Sequence, residues 1–161
     1  MESLRIQIDL KAHSIPKRSP RYLVQLISPD KTIRLKDHLD PNIPLDENIF
    51  IDETVSLANG DHTLSIQFFN DPVVDNLTEP DGKFDATNIT VVRVGFDSLW
   101  FDDRLPQLAR YYPEKNKSYL DWWASQRKPA PEYFTHTTMG WDGQYLLKFR
   151  TPIFEWFLDI L

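Results

Sequence analysis

The sequence predicts a mainly β chain, folded as an antiparallel β-sandwich or jelly roll with a loop-rich C-terminal extension and short helices. Apolar and polar residues alternate in several short segments, which is the period of a strand with one buried face. Clusters of Pro, Gly, Asn, Asp and Ser separate these segments, as turns do. No long amphipathic segment lies between them, which argues against helices connecting parallel strands.

The alternating segments define the expected core. Residues 4–10, 22–27, 64–68 and 88–96 each place apolar side chains at alternate positions. In a sandwich, such side chains point into the space between the two sheets. The predicted core residues are Ile6, Ile8, Val24, Leu26, Leu64, Ile66, Phe68, Val92, Val94 and Phe96.

Two turn signals predict β-hairpins. Ser28-Pro29-Asp30 lies between the two alternating halves of residues 22–35. Asn59-Gly60-Asp61 follows the predicted strand 49–57, and Asn and Gly both accept a positive φ at little cost. In each case we expect the flanking strands to be antiparallel neighbours.

The last third of the chain has a different character, and we expect a sandwich over residues 1–103 with an aromatic, proline-rich extension over 104–161. Residues 104–113 are expected to hold a short helix, and residues 113–138 a loop. The rings of this loop either contact a protein or sugar or form a second small core on the sandwich. Residues 141–149 combine an Asp-Gly turn with a strand.

Composition and motifs exclude several functional classes. The 161 residues include no cysteine, so thiol catalysis and Cys-ligated zinc are excluded. The net charge of -6 argues against a nucleic-acid partner. No Gly-x-Ser-x-Gly motif and no glycine-rich phosphate loop is present, and the four histidines are scattered. We therefore expect no enzymatic activity.

The N-terminal residues do not match a secretion signal. They lack a cationic start, an uninterrupted apolar core and a small-residue cleavage site. No apolar run is long enough to cross a membrane. We expect synthesis in the cytoplasm, no membrane partner, and release only as part of a particle or by cell lysis.

An acidic segment follows the predicted strand that ends at Phe69. Between residues 71 and 85 it contains five carboxylates and a single cation, Lys83. The segment is either a solvated acidic loop or a calcium site, because calcium takes oxygen ligands and tolerates irregular geometry. The expected calcium ligands are Asn70, Asp71, Asp75, Asp81, Asp85 and Asn88.

Two runs around this acidic segment, residues 60–71 and 85–91, resemble the calcium-dependent, xylan-binding type of carbohydrate-binding module. The resemblance implies a β-sandwich in which a loop-bound calcium ion coordinates sugar hydroxyls. The chain departs from the family pattern by one extra residue in the Asp-to-Asn spacing, by a missing Arg, and by Thr90 in the place of Tyr. The residues to which the resemblance carries over are Asn70, Asp71, Asp85 and Asn88.

The segment 151–161 is expected to form an apolar helix. Thr151-Pro152 has the pattern of an N-cap followed by proline at the first helical position. Such a helix needs a cover, supplied either by another subunit or by residues 100–140 of the same chain. The expected partner-binding residues are Ile153, Trp156, Phe157, Ile160 and Leu161.

Together these patterns predict a non-catalytic structural or accessory protein of a larger assembly, with a bacteriophage particle as the expected setting. The expected partners are other protein subunits and a polysaccharide. The alternative is an autonomous calcium-dependent glycan-binding module. An assembly component self-associates or requires a partner, whereas a free module is monomeric and binds glycans.

Overall fold

A computed structural model describes residues 1–14, 20–40, 42–69 and 87–161. Within these residues, ten strands form two antiparallel sheets, with three short helices around them, and the predicted β-sandwich is confirmed. The strands are β1 (Glu2–His13), β2 (Arg21–Ile27), β3 (Thr32–His38), β4 (Asn48–Leu57), β5 (Gly60–Phe69), β6 (Asn88–Phe96), β7 (Leu99–Phe101), β8 (Ala109–Pro113), β9 (Thr138–Met139) and β10 (Gly143–Thr151). The helices are α1 (Leu105–Leu108), α2 (Lys117–Ser125) and α3 (Ile153–Ile160).

The first sheet has the strand order β4-β1-β6-β7, and β9 also pairs with β6. The second sheet has the order β3-β2-β5-β10-β8. The core lies between the two sheets, because the apolar side chains of their strands alternate inward. The predicted hairpin over residues 22–35 is confirmed as β2 and β3, which pair directly.

Nine of the ten predicted core residues are buried, and Val92 is the exception at 45% exposure. The pairing of β1 with β6 shifts register between Asp9 and Leu10, which face Arg93 and Val91. This β-bulge leaves Val92 as an extra residue and reverses the alternation on its two sides. Val91 is therefore buried, and the prediction for Val92 was wrong.

The predicted hairpin at Asn59-Gly60 is also wrong. β4 pairs with β1 in the first sheet, whereas β5 pairs with β2 and β10 in the second. The turn therefore connects the two sheets instead of joining neighbouring strands. Gly60 has a φ of 140°, a backbone region that favours glycine, so the residue type fits the sharp change of direction.

The boundary expected between residues 103 and 104 does not separate the two sheets from an extension. β10 pairs with β5 over nine residues, and β8 pairs with β10, so both complete the second sheet. The short helix expected within residues 104–113 is present over Leu105–Leu108. The following β8 alternates buried and less buried positions, which is the period of a strand.

Helix α2 lies within the segment that was predicted as a loop. Its N-cap is Asn116, whose side-chain oxygen accepts a hydrogen bond from the Tyr119 N–H at 3.0 Å. Lys117 and Asp121 form an ion pair one turn apart. Tyr119 is fully buried, and its hydroxyl donates to the Pro131 carbonyl at 2.7 Å. The cap and the ion pair were the sequence signals for this helix.

Candidate functional site

Five of the six predicted calcium ligands, Asn70, Asp71, Asp75, Asp81 and Asp85, lie outside the described residues. The sixth, Asn88, is the first residue of β6 and is paired with His13 of β1. Among the described residues, no cluster of three or more His, Asp or Glu side chains has the arrangement of a metal site. Calcium binding by residues 70–88 therefore stays a prediction.

Helix α3 packs one face against the core of its own chain. Ile153 is 4% exposed and Trp156 is 8% exposed. The Trp156 ring lies 5.8 Å from each of the Phe96 and Phe101 rings and 6.2 Å from the Phe149 ring, measured between centroids. These three rings come from both sheets, so the Trp156 side chain packs α3 against both sheets at once.

Four of the five residues predicted to bind a partner belong to this inward face. Ile153 and Trp156 are buried, and Phe157 and Ile160 are partly buried against the same core. Leu161, in contrast, is 74% exposed. Another subunit that contacts α3 therefore has to use a different side of the helix.

A second side of α3 carries three exposed apolar side chains, which we call the α3 surface: Phe154, Leu158 and Leu161. Their exposed fractions are 60%, 74% and 74%. The spacing of four and three residues places them on one face of the helix. Together they expose on the order of 400 Å² of apolar area, which is the size of the largest apolar patch on a typical monomer, a patch that often has a function.

Both ends of α3 are attached to the rest of the chain. The N-cap is Pro152 and not the predicted Thr151, and Thr151 is the last residue of β10. A carboxylate from β1 takes the place of the expected cap, because Glu2 accepts from the Ile153 N–H at 3.1 and 3.2 Å. At the other end, the Arg104 guanidinium donates to the Ile160 carbonyl. The α3 surface is thus presented by a helix that is held in place.

A buried polar network that the sequence did not reveal lies near the start of α3. The Ser28 hydroxyl and His62 Nδ1 are 2.7 Å apart. His62 Nε2 lies 2.9 Å from the Thr151 hydroxyl and 3.0 Å from the Ala58 carbonyl oxygen. The Thr151 hydroxyl donates to the same carbonyl at 2.9 Å. All these contacts are satisfied when Ser28 donates to Nδ1 and Nε2 carries the imidazole proton.

This network connects three separate parts of the sandwich. Ser28 follows β2, Ala58 lies in the turn from the first sheet to the second, and Thr151 ends β10. A Ser–His contact of this length also occurs in nucleophilic catalysis, but there a carboxylate orients the second ring nitrogen. Here that nitrogen faces a hydroxyl and a carbonyl, an arrangement that joins three chain segments.

Among the described residues, no helix has both the length and the apolar character needed to cross a lipid bilayer. No protein-family model, no curated protein and no solved structure matches this chain. The evidence on its function therefore comes from its own residues, and the α3 surface is the candidate functional site that their geometry supports best.

Proposed function

We propose that this chain is a non-catalytic component of a larger protein assembly, in which the α3 surface docks on another copy of the chain. The observation that carries the proposal is the exposure of Phe154, Leu158 and Leu161 on one side of a helix whose other side is fixed in the core. Full burial of one such side chain is worth roughly 1.5–3 kcal/mol, so three of them support association.

The charges around α3 support a symmetric contact between two copies. Glu155 lies in the first turn of the helix, and the Arg104 guanidinium lies at its last turn. The last turn also carries Asp159, which is paired with Arg150. In an antiparallel pair of α3 helices, Glu155 of each copy therefore approaches two guanidinium groups and one carboxylate of the other. A two-fold contact needs such a self-complementary surface. Two α3 surfaces bury on the order of 800 Å² of apolar area, a small interface, which corresponds to weak association.

The setting that we propose for the assembly is a bacteriophage particle, and support for this setting comes from the sequence alone. The test of the docking contact does not depend on the setting. We expect the full chain to associate with itself in a concentration-dependent way, and the substitution Leu158→Lys to keep it monomeric. Equal association of the substituted chain and the wild-type chain would rule out the proposed contact.

The second candidate is a calcium-dependent glycan-binding module. It is favoured by the attachment of the acidic segment, because β5 ends in the second sheet at Phe69 and β6 begins in the first sheet at Asn88. Ligand residues in a segment that is attached to a sheet at both ends lose less conformational entropy when they bind an ion than ligand residues in a free acidic loop do. Its test is a comparison of the melting temperature in calcium with that in chelator, and this candidate predicts a higher value in calcium.

A further inference from the structure

The outer face of the second sheet carries a row of neutral polar side chains that neither the core nor the α3 surface uses. Gln144 of β10 lies opposite Gln67 of β5, and Gln25 of β2 lies opposite Ser65 of β5, which is only 3% exposed. The three glutamines alternate with buried neighbours, so they lie on the outer face of the sheet. Amide groups at fixed strand positions donate and accept hydrogen bonds at the same time, as binding to sugar hydroxyls requires.

Two exposed tyrosines border this row at the edge strand. Tyr112 of β8 lies opposite Gln144 and is 37% exposed. Tyr133, which is 45% exposed, has its ring centroid 5.9 Å from that of Tyr112. Aromatic rings of this kind combine a flat apolar surface with a hydroxyl group, and they bring little conformational entropy to a contact.

The same face carries cationic groups, although the chain as a whole has a net charge of -6. The guanidinium carbon of Arg110 lies 5.2 Å from the centroid of the Tyr133 ring. Lys148 of β10 is exposed, and no described carboxylate forms an ion pair with it. Asp61 lies diagonally across from Lys148 on this face. Arg110 and Lys148 together exceed this carboxylate, and the excess of positive charge attracts an anionic ligand.

A cavity of about 530 Å³ opens towards the α3 end of this face. Its lining includes Thr63 and Lys148, which share the outer face with the amide row. Along β10, Gln144 and Lys148 are four residues apart, which corresponds to about 14 Å. The face therefore extends over more than one sugar ring, with tyrosines at one end and a cavity at the other.

We propose that this outer face binds an anionic polysaccharide whose sugar rings carry carboxylate groups. The tyrosines contact the sugar rings, the glutamines bind hydroxyls, and Arg110 and Lys148 bind carboxylates. Nucleic acid is the alternative anionic ligand, but deoxyribose rings offer the glutamines few hydroxyls to bind, and a DNA oligonucleotide in the test distinguishes the two. This binding face is distinct from the α3 surface and from the acidic segment, so it needs neither self-association nor calcium.

The test uses the full chain in a chelating buffer, with polygalacturonate as the probe. Its methyl ester has the same backbone without the charge, and a single-stranded oligonucleotide has charge without sugar carboxylates. The variants are Tyr133→Ala and Lys148→Gln. The matched controls, Phe50→Ala and Lys11→Gln, change an exposed ring and an exposed cation on β4 and β1 of the first sheet.

We expect binding of polygalacturonate, with loss of about tenfold in affinity for either variant, equivalent to roughly 1.4 kcal/mol. The controls should bind as the wild-type chain does, and the methyl ester and the oligonucleotide should bind at least about tenfold more weakly. Absence of binding, equal losses in the controls, or equal binding of the oligonucleotide would each overturn the proposal. Melting temperatures of all variants distinguish a lost contact from a lost fold.

Discussion

Tyr111 of β8 and Tyr145 of β10 lie directly opposite each other in the second sheet, and both are fully buried, but their hydroxyl groups differ in hydrogen bonding. The Tyr111 hydroxyl donates to the Trp141 carbonyl and accepts from the Trp141 N–H at 2.9 Å. The Tyr145 hydroxyl has no hydrogen-bond partner among the described residues. We therefore expect the two hydroxyl groups to contribute differently to stability.

Removal of each hydroxyl group tests this difference. Tyr145→Phe removes a buried hydroxyl group that gave up its hydrogen bonds to water on folding and gained none in return. We therefore expect no loss of stability, or a gain of up to about 1 kcal/mol. Tyr111→Phe leaves two backbone groups of Trp141 without a partner and should destabilise the chain by about 1–3 kcal/mol. Urea unfolding at neutral pH measures both changes. A larger loss for Tyr145→Phe than for Tyr111→Phe would contradict the assignment.

Stability should fall in alkaline solution because of the buried tyrosines. Burial, followed by the charges of Asp37 and Asp46, raises the pKa of Tyr22 to about 12. Burial also raises the pKa values of Tyr111 and Tyr145. In the unfolded chain these groups lose their protons near pH 10, so between about pH 10 and about pH 12 the unfolded state binds fewer protons than the folded state. The free energy of unfolding therefore decreases as the pH rises through this range.

The variant Tyr22→Phe isolates one contribution to this effect. Its free energy of unfolding should fall less steeply above about pH 10 than that of the wild-type chain. Denaturant unfolding at a series of alkaline pH values gives both slopes. Parallel slopes would show that Tyr22 ionises equally easily in the folded and unfolded states.

The buried network around His62 should contribute to the stability of the sandwich. His62→Leu leaves the Ser28 hydroxyl and the Ala58 carbonyl with fewer partners, and we expect a loss of about 1–3 kcal/mol. Once His62 is absent, Ser28→Ala should have a smaller effect than in the wild-type chain, because the two side chains interact directly. A double-mutant cycle by urea unfolding gives this coupling. Additive losses would indicate that the contact stabilises nothing.

Calcium should stabilise the chain if residues 70–88 bind it. At a concentration of about 100 times the dissociation constant, binding to the native state alone adds about 2.7 kcal/mol. Melting temperatures in calcium and in chelator measure the effect, and Asp71→Asn with Asp85→Asn should abolish it. Equal melting temperatures of the wild-type chain in both solutions would identify the segment as a solvated acidic loop.

Most of the strands could be predicted from the sequence. A strand with one buried face alternates apolar and polar residues whichever strands it pairs with, so the pattern is visible locally. Positions such as Ile6, Leu26 and Ile66 follow from this period alone. The β-bulge at Val92 could not be predicted, because it depends on the register with Asp9 and Leu10 of another strand. The Asn59-Gly60 signal identified a turn, but a turn signal does not specify whether the flanking strands pair.

The candidate site was less predictable for a similar reason. Two sides of α3 carry apolar residues at helical spacing. Which of them faces the core depends on contacts with Phe96, Phe101 and Phe149, which are distant from the helix in the sequence. The sequence predicted the helix itself, but most of the residues that it named as partner-binding pack inward. The His62 network joins residues 34 and 89 positions from His62, and no local pattern reveals such a contact.

The inward packing of α3 also decides how the central claim has to be tested. Deletion of the helix removes Trp156, whose ring packs against Phe96 and Phe149, so an unfolded product says nothing about docking. A point substitution on the α3 surface avoids this, because Leu158 is 74% exposed. The matched control is Leu120→Lys, which changes a leucine on α2 that is 44% exposed.

Sedimentation velocity over a concentration series, from low micromolar to near millimolar, is the most direct test of association through the α3 surface. We predict that the wild-type chain and the Leu120→Lys variant form dimers as the concentration rises, whereas the Leu158→Lys variant stays monomeric with an unchanged melting temperature. A wild-type chain that remains monomeric throughout the series, or a Leu158→Lys variant that dimerises as strongly as the control, would contradict the account.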